Sequence, residues 1–376
     1  KKNLPIYKRG DMLAHITSLK KNIVVSGSHG KTTTTSLIAS IFTKAKLDPT
    51  IINGGVINSL DNSAKLGKSE WSVLESDESD GSFIKVPSTY AVITNIDREH
   101  MDYYKSLSDL KRHFIKFMLK VPSFGKTFIC IDDKNTRDIC KSSKIKNILT
   151  YGYSNQSNFK IKNCSFQKNK SFFDVEMRLP NKNKIVLKKF ELPLIGSHNV
   201  KNATAAIAVS YFIGISPIIL KNSLKKFKGV ERRFNKIFNF KGVDFYDDYA
   251  HHPTEISSIL DGVKKVYSKR KIISVFEPHR YSRVNSLKQA FSKSFIKSDL
   301  VLVCPMYAAG EKKIPNFSLE NFANLISKNS KVQVILVNSQ KELANYFKKN
   351  LINDEIIIGM GAGLISQWMR GLKVEL

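Results

Sequence analysis

Apolar residues follow two rhythms along this chain. "KNIVVSG", Lys21 to Gly27, is a continuous apolar run closed by a glycine, the pattern of a buried strand. Directly after it, Thr34 to Leu47 carries Leu37, Ile38, Ile41, Phe42 and Ala45 at helical spacing on one face. Further strand-type runs, "TIINGG", "WSVLES" and "TYAVITNI", precede the helical "DLKRHFIKFMLK". Strands alternating with helices predict a parallel sheet covered on both faces, and so an α/β fold.

From Phe159 to Leu194 the period shortens to alternating runs broken by "QKNK" and "PNKNK", which predicts hairpins in a small antiparallel appendage. "HNVKNATAAIAVSYFIGI" returns to helix. A second alternating series begins near Gly229 with "VDFYDD", continues through "KIISVFE", "DLVLVCP" and "VQVILV", and ends at "EIIIGMG". It predicts a second, Rossmann-like doubly wound sheet. The expected division is therefore a domain at 1–228, with residues 1–20 as a leading linker, and another at 229–376.

The length, 376 residues, suits two such domains. Lys and Arg number 61 against 32 acids, a formal charge of +29. Such a surplus is compatible with nucleic acid as a partner. Here, however, the lysines are scattered beside Asn and Ile, and no aromatic-interleaved basic block offers bases a stacking platform. Nucleic acid is not expected. Four widely spaced cysteines, Cys130, Cys140, Cys164 and Cys304, form no zinc pattern and fit a reducing, cytoplasmic setting. No apolar run reaches the roughly 18 residues of a membrane span, and "KKNLPIYKRG" has no signal-peptide core.

The chemistry concentrates where predicted strands end. In "GSHGKTT", Gly27, Ser28, His29 and Gly30 form a tight loop opening a helix, Lys31 adds a point charge, and Thr32 offers a hydroxyl to Mg²⁺, with Thr33 beside it. Backbone N–H groups and a helix N-terminus make this a phosphate cradle, shorter than the standard Walker loop. "VLESDESD" sets Glu75, Asp77, Glu78 and Asp80 at the end of a strand, where open parallel sheets bind ligands and hard carboxylate oxygens suit Mg²⁺. "TNIDREHMDYY" puts Asp97 and His100 in the same kind of position. Asn199 and Asn202, three apart at a helix start, either face one ligand together or act as a cap and its neighbour. Arg232, Arg233, Arg280 and Arg283 are forked donors for phosphate or carboxylate.

Read in order, "GSHGKTTTT", "ESDESD", "TNIDREHMD", "GSHNVKNATAAIAV", "GVERRF", "DDYAHHPTE", "EPHRYSR" and "YAAGE" resemble the Mur ligase family, from about Leu4 to Gly363. The likeness is greatest to members that join L-alanine to UDP-N-acetylmuramate in cell-wall synthesis. It implies ATP and Mg²⁺ as cofactors, with phosphorylation of the lactyl carboxylate before attack by the alanine amine. Carried over, it implies Lys31 on the β/γ-phosphates, Thr32 and Glu75 on one Mg²⁺, and His100 on a second metal or the transferring group. It also places Asn199 and Asn202 at the adenine end, and Arg233 and Asp248 at the nucleotide from the C-terminal domain. His251, His252, Arg280 and Arg283 become the amino-acid and muramyl binders.

Two departures accompany the resemblance. Family members usually carry a further N-terminal domain that grips the uridine diphosphate, expected to lie outside this chain. Ser197 stands where many relatives have Arg. A murein-peptide recycling ligase and a basic nucleic-acid-binding ATPase are the alternative functions.

Overall fold

The computed structural model describes residues 5–180 and 183–376, so Leu4 and part of the "PNKNK" break (Asn181 and Lys182) lie outside the described residues. The chain divides into two compact units that meet in sequence at Val230 and Glu231.

In the first unit the strands are β1 (Lys21–Ser26), β2 (Thr50–Ile57), β3 (Asn62–Lys65), β4 (Trp71–Glu75) and β5 (Tyr90–Ile93). They continue as β6 (Lys126–Cys130), β7 (Ile148–Gly152), β8 (Phe159–Gln167), β9 (Lys170–Met177) and β10 (Ile185–Leu192). Among the described residues these ten form one sheet in the order β10-β9-β8-β7-β6-β5-β1-β4-β2-β3. From β2 through β7 the neighbours are parallel. Because side chains alternate across a strand, Ile23 and Val25 of β1 enter one core, with Leu37, Phe42 and Ala206, while Val24 enters the other, with Phe83 and Phe114. Burial on both faces explains the unbroken apolar runs.

The predicted appendage is antiparallel, but it does not stand apart. β8 joins β7 in parallel through Tyr151↔Phe159 and Gly152↔Lys160, and β9 and β10 extend the same sheet. Phe159, fully buried beside Phe128, anchors it to the main core. The first long helix starts at Lys31, three residues before the predicted Thr34, and ends at Lys44. Gly30 in the left-handed region (φ 83°) lets the chain turn straight from the loop into the helix, so the threonines that look like loop are its buried first turns. β3, β6, β7 and the helices Arg9–Thr17 and Lys134–Ser142 are further elements that the apolar pattern does not announce.

The second unit contains β11 (Asn235–Phe240), β12 (Val243–Asp248), β13 (Lys271–Phe276), β14 (Leu300–Val303), β15 (Gln333–Leu336) and β16 (Glu355–Met360). Their order is β11-β12-β16-β13-β14-β15, parallel except for the antiparallel edge strand β11. The register Asp248↔Met360 and Phe276↔Met360 brings the carboxyl ends of β12, β16 and β13 side by side. Among the described residues no helix is long and apolar enough to cross a membrane.

Phe83, on the short 3₁₀ turn Ser82–Lys85, is fully buried with ring centroids 5.0 Å from Phe114 and 5.2 Å from Phe117. Truncating it leaves a cavity that those rings cannot close. Phe83→Ala should cost about 3–5 kcal/mol in the first unit's urea unfolding transition.

Candidate active site

The phosphate-type loop is laced to the segment that follows β5. Gly27 has φ 133°, and a Cβ there would lie 2.8 Å from the Asn95 carbonyl oxygen, so only glycine fits. The Ser28 N–H donates to the Asn95 carbonyl (3.1 Å) and the His29 N–H to Asn95 Oδ1 (2.9 Å). In return Asn95 Nδ2 and Thr94 Oγ1 donate to the His29 carbonyl (2.9 and 2.7 Å), and Asp97 N–H donates to Ser28 Oγ (2.8 Å). His29 Nε2 also lies 3.0 Å from Asp97 Oδ2. These bonds occupy the Ser28 and His29 N–H groups of the loop. The first-turn N–H groups of Lys31, Thr32 and Thr33 have no partner within the helix.

Lys31 is buried, and its ammonium touches the Gly27 carbonyl (2.7 Å), Glu78 Oε2 (2.9 Å) and Asp77 Oδ2 (3.3 Å). Burial alone would push its pKa down. The adjacent Glu78, Asp77 and Glu75 carboxylates outweigh that and hold it above the ordinary lysine value, so Lys31 is a fixed cation. Glu78 is fully buried, and burial raises its pKa against the pull of Lys31. For Asp77, burial is outweighed by Lys31 and by Ser79, and the carboxyl sits well below its usual range.

Thr32 and Glu75 form a separate pair. Thr32 Oγ1 donates to Glu75 Oε1 (3.1 Å), and the Gly54 N–H donates to Glu75 Oε2 (2.7 Å). His100 instead faces Glu78 Oε1 (3.7 Å) and Glu99 Oε2 (4.0 Å). Glu78, Glu99 and His100 thus bring three ligand atoms within 4.8 Å of one another. Glu99 went unnoticed in the sequence, where its only signal is its place beside His100. Asn202 lies over the loop, its Oδ1 2.6 Å from where a Gly30 Cβ would be, and its Nδ2 is 3.4 Å from Asn199 Oδ1. Asn199 in turn donates to the Ile195 carbonyl (2.8 Å).

In the second unit the side chains gather at the β12, β16 and β13 ends. Asp248, almost wholly buried, accepts the N–H groups of Phe234 (2.7 Å) and Ala250 (2.6 Å). Burial pushes its carboxyl up to about 7, against Arg233. The Arg232 and Arg233 guanidinium carbons lie 4.8 and 5.3 Å from the Tyr249 ring centroid, and Arg232 Nη2 donates to the Gly361 carbonyl (2.8 Å). His252 is buried and caps the helix Pro253–Val266 in a capping box with Glu255. Arg280, at φ 65°, precedes the helix Tyr281–Ser292, and Arg283 Nη1 lies 3.1 Å from His279 Nδ1. As guanidinium can only donate, the His279 proton is on Nε2. His251 Nδ1 donates to the Tyr249 carbonyl (2.8 Å), so its Nε2 carries the lone pair.

Both histidines are held neutral. Burial pushes His251 down to about 3, with Glu255 opposing and Arg283 adding to the shift, and pushes His279 down to about 4, with Arg283 and Arg280 adding. Their folded pKa values lie below the ordinary 6.5, so the unfolded chain takes up protons that the folded chain refuses. The stability they contribute is complete above 6.5 and is lost as pH falls toward 4 and 3. The His251 imidazole should show no protonation shift by NMR between about pH 5 and 8, where an ordinary histidine titrates. His251→Gln should flatten the acid loss of stability.

Residues 25–210 match the Mur ligase middle domain, and residues 232–363 match the Mur ligase, glutamate ligase domain. A UDP-N-acetylmuramate–L-alanine ligase of Pelagibacter ubique is 60% identical over 371 residues, which is 99% of this chain and 80% of the relative. This chain belongs to the Mur ligase family. Its Mur ligase fold superposes on the UDP-N-acetylmuramate–alanine ligase of Thermotoga maritima with a TM-score of 0.78 at 25% identity, over 96% of this chain and 77% of that one. A MurF ligase from Thermotoga maritima, solved in complex with ADP, shares the Mur ligase fold at 17% identity (TM-score 0.71, 99% of this chain and 86% of that one).

Proposed function

We propose that this chain uses ATP to join L-alanine to the lactyl carboxylate of UDP-N-acetylmuramate, in the synthesis of peptidoglycan precursors. The observation that carries the reading is the buried Lys31 cation at a helix N-terminus, facing the Glu78, Glu99 and His100 cluster. It is supported by 60% identity over nearly the whole chain to a ligase of that name.

The ATP phosphates would lie on the first-turn N–H groups of Lys31–Thr33, with the Lys31 ammonium moving from Glu78 and Asp77 to the phosphate oxygens. The cluster also fits Mg²⁺. Glu78 Oε1 is buried with no hydrogen-bond donor, an orphaned carboxylate oxygen pointing toward His100. Glu78, Glu99 and His100 would hold one ion, and Thr32 with Glu75 would supply oxygens to another. Bound Mg²⁺ supplies charge neutralisation at the transferring phosphoryl group.

A lactyl carboxylate oxygen attacks the γ-phosphorus, ADP leaves, and the carboxylate becomes an acyl phosphate. The alanine amine then attacks the carbonyl carbon, and phosphate leaves with the former carboxylate oxygen. Asn199 and Asn202 are assigned to the adenine end, and Arg233 and Asp248 to the nucleotide. His251, His252, Arg280 and Arg283 are assigned to the amino acid and muramyl group. With His251 and His279 held neutral by burial, Arg280 and Arg283 are assigned the positive charge for the alanine carboxylate. Phosphate release from ATP should require UDP-N-acetylmuramate and L-alanine together. Release that ignores either acceptor would count against the assignment.

A further inference from the structure

The turn after β5 aims two side chains at one residue. His100 adopts a left-handed φ of 56°, and its carbonyl accepts the N–H groups of Tyr103 (3.0 Å) and Tyr104 (2.9 Å). This turn directs the His100 imidazole at the Glu78 carboxylate and the Tyr104 hydroxyl at the Glu78 backbone carbonyl, to which it donates. One short segment therefore holds the Glu78 backbone and faces its carboxylate.

Tyr104 is 1% exposed, with its ring edge-on to Tyr103 (4.8 Å) and His113 (5.1 Å). Any buried tyrosine needs a hydroxyl partner, so the bond by itself could serve packing alone. Its location argues for more. The accepting carbonyl belongs to the residue whose own Oε1 is buried without a donor. That carbonyl also accepts the Gly81 N–H (3.0 Å), closing the loop around Glu78. The neighbouring loop contacts, Asp77 with Ser79 N–H and Asp80 with Ser82 N–H, are local. Lys31 holds the Glu78 carboxylate, and the Tyr104 hydroxyl holds its backbone from the turn after β5.

We infer that Tyr104 is a positioning residue for the metal site: its hydroxyl fixes the Glu78 backbone so that the carboxylate meets His100 and Glu99, without itself touching metal or nucleotide. The inference rests on the reading of Glu78 as a metal ligand. Outer partners of this kind are worth about 10–100-fold in metal affinity.

The test uses the whole chain with Mn²⁺ and a non-hydrolysable ATP analogue, with free Mn²⁺ read by electron paramagnetic resonance. Tyr104→Phe keeps the packed ring, and circular dichroism checks the fold. It should weaken Mn²⁺ binding about tenfold, whereas Tyr103→Phe should leave binding unchanged. In a Glu78→Gln background, Tyr104→Phe should cause no further loss. Unchanged Mn²⁺ affinity in Tyr104→Phe, with only a lowered melting temperature, would reduce the residue to packing and overturn the inference. A full additional loss on top of Glu78→Gln would overturn it too. Glu78→Gln protein that binds Mn²⁺ like the wild type would instead refute the ligand reading beneath it.

Discussion

Lys31→Ala should abolish ATP-dependent phosphate release while leaving a folded protein. The ammonium is the buried cation on which Glu78 and Asp77 converge, and no other lysine or arginine within the loop can replace it. Loss of one preorganised charge at the transferring group costs about 10²–10³ in rate. Removing one partner from a buried ion pair ordinarily destabilises by about 3–5 kcal/mol. Here Glu78 can relieve much of that by taking up a proton, since burial already raises its pKa. Phosphate release and a urea titration on the same preparation separate the two effects. Substantial turnover from folded Lys31→Ala protein would refute the phosphate assignment.

Glu78→Gln should lower phosphate release at saturating ATP by about 100-fold, and the residual activity should need much more Mg²⁺. The substitution keeps the side-chain volume, so packing is not the variable. Glu75→Gln is the informative comparison, because the family resemblance implies one Mg²⁺ on Thr32 and Glu75, with His100 on a second metal or the transferring group. Glu75 accepts from Thr32 and from the Gly54 N–H, so both its oxygens already have donors. Glu78 has an oxygen without one. The Mg²⁺ dependence should therefore respond more to Glu78 than to Glu75. The reverse order would show that the ion on Thr32 and Glu75 governs turnover more than the one on Glu78.

Much of this was legible in the sequence because burial on both faces leaves a mark. The apolar runs of β1, β4 and β5, each ending in a polar cluster, announce a parallel sheet with a ligand edge. "GSHGKTTTT" announces the loop, although not that Asn95 and Thr94 would consume its N–H and carbonyl groups. Such partners lie about 65 residues away in sequence, and only the parallel pairing of β1 with β5 brings them together. The continuity of β8–β10 with the main sheet was hidden for a similar reason, since it depends on two residue pairs and the buried Phe159. Separating the surroundings of Glu75 from those of Glu78 required the loop geometry. Both are acids of one short motif, and only the fold shows which one Lys31 and His100 face.

The most direct test of the account uses UDP-N-acetylmuramate labelled with ¹⁸O in the lactyl carboxylate, ATP, Mg²⁺ and L-alanine, with mass spectrometry of the released phosphate. Activation of the carboxylate by phosphoryl transfer predicts that one carboxylate oxygen leaves with the phosphate, so ¹⁸O appears there in step with the amide product. Phosphate released without the label, while the amide still forms, would contradict the acyl-phosphate route.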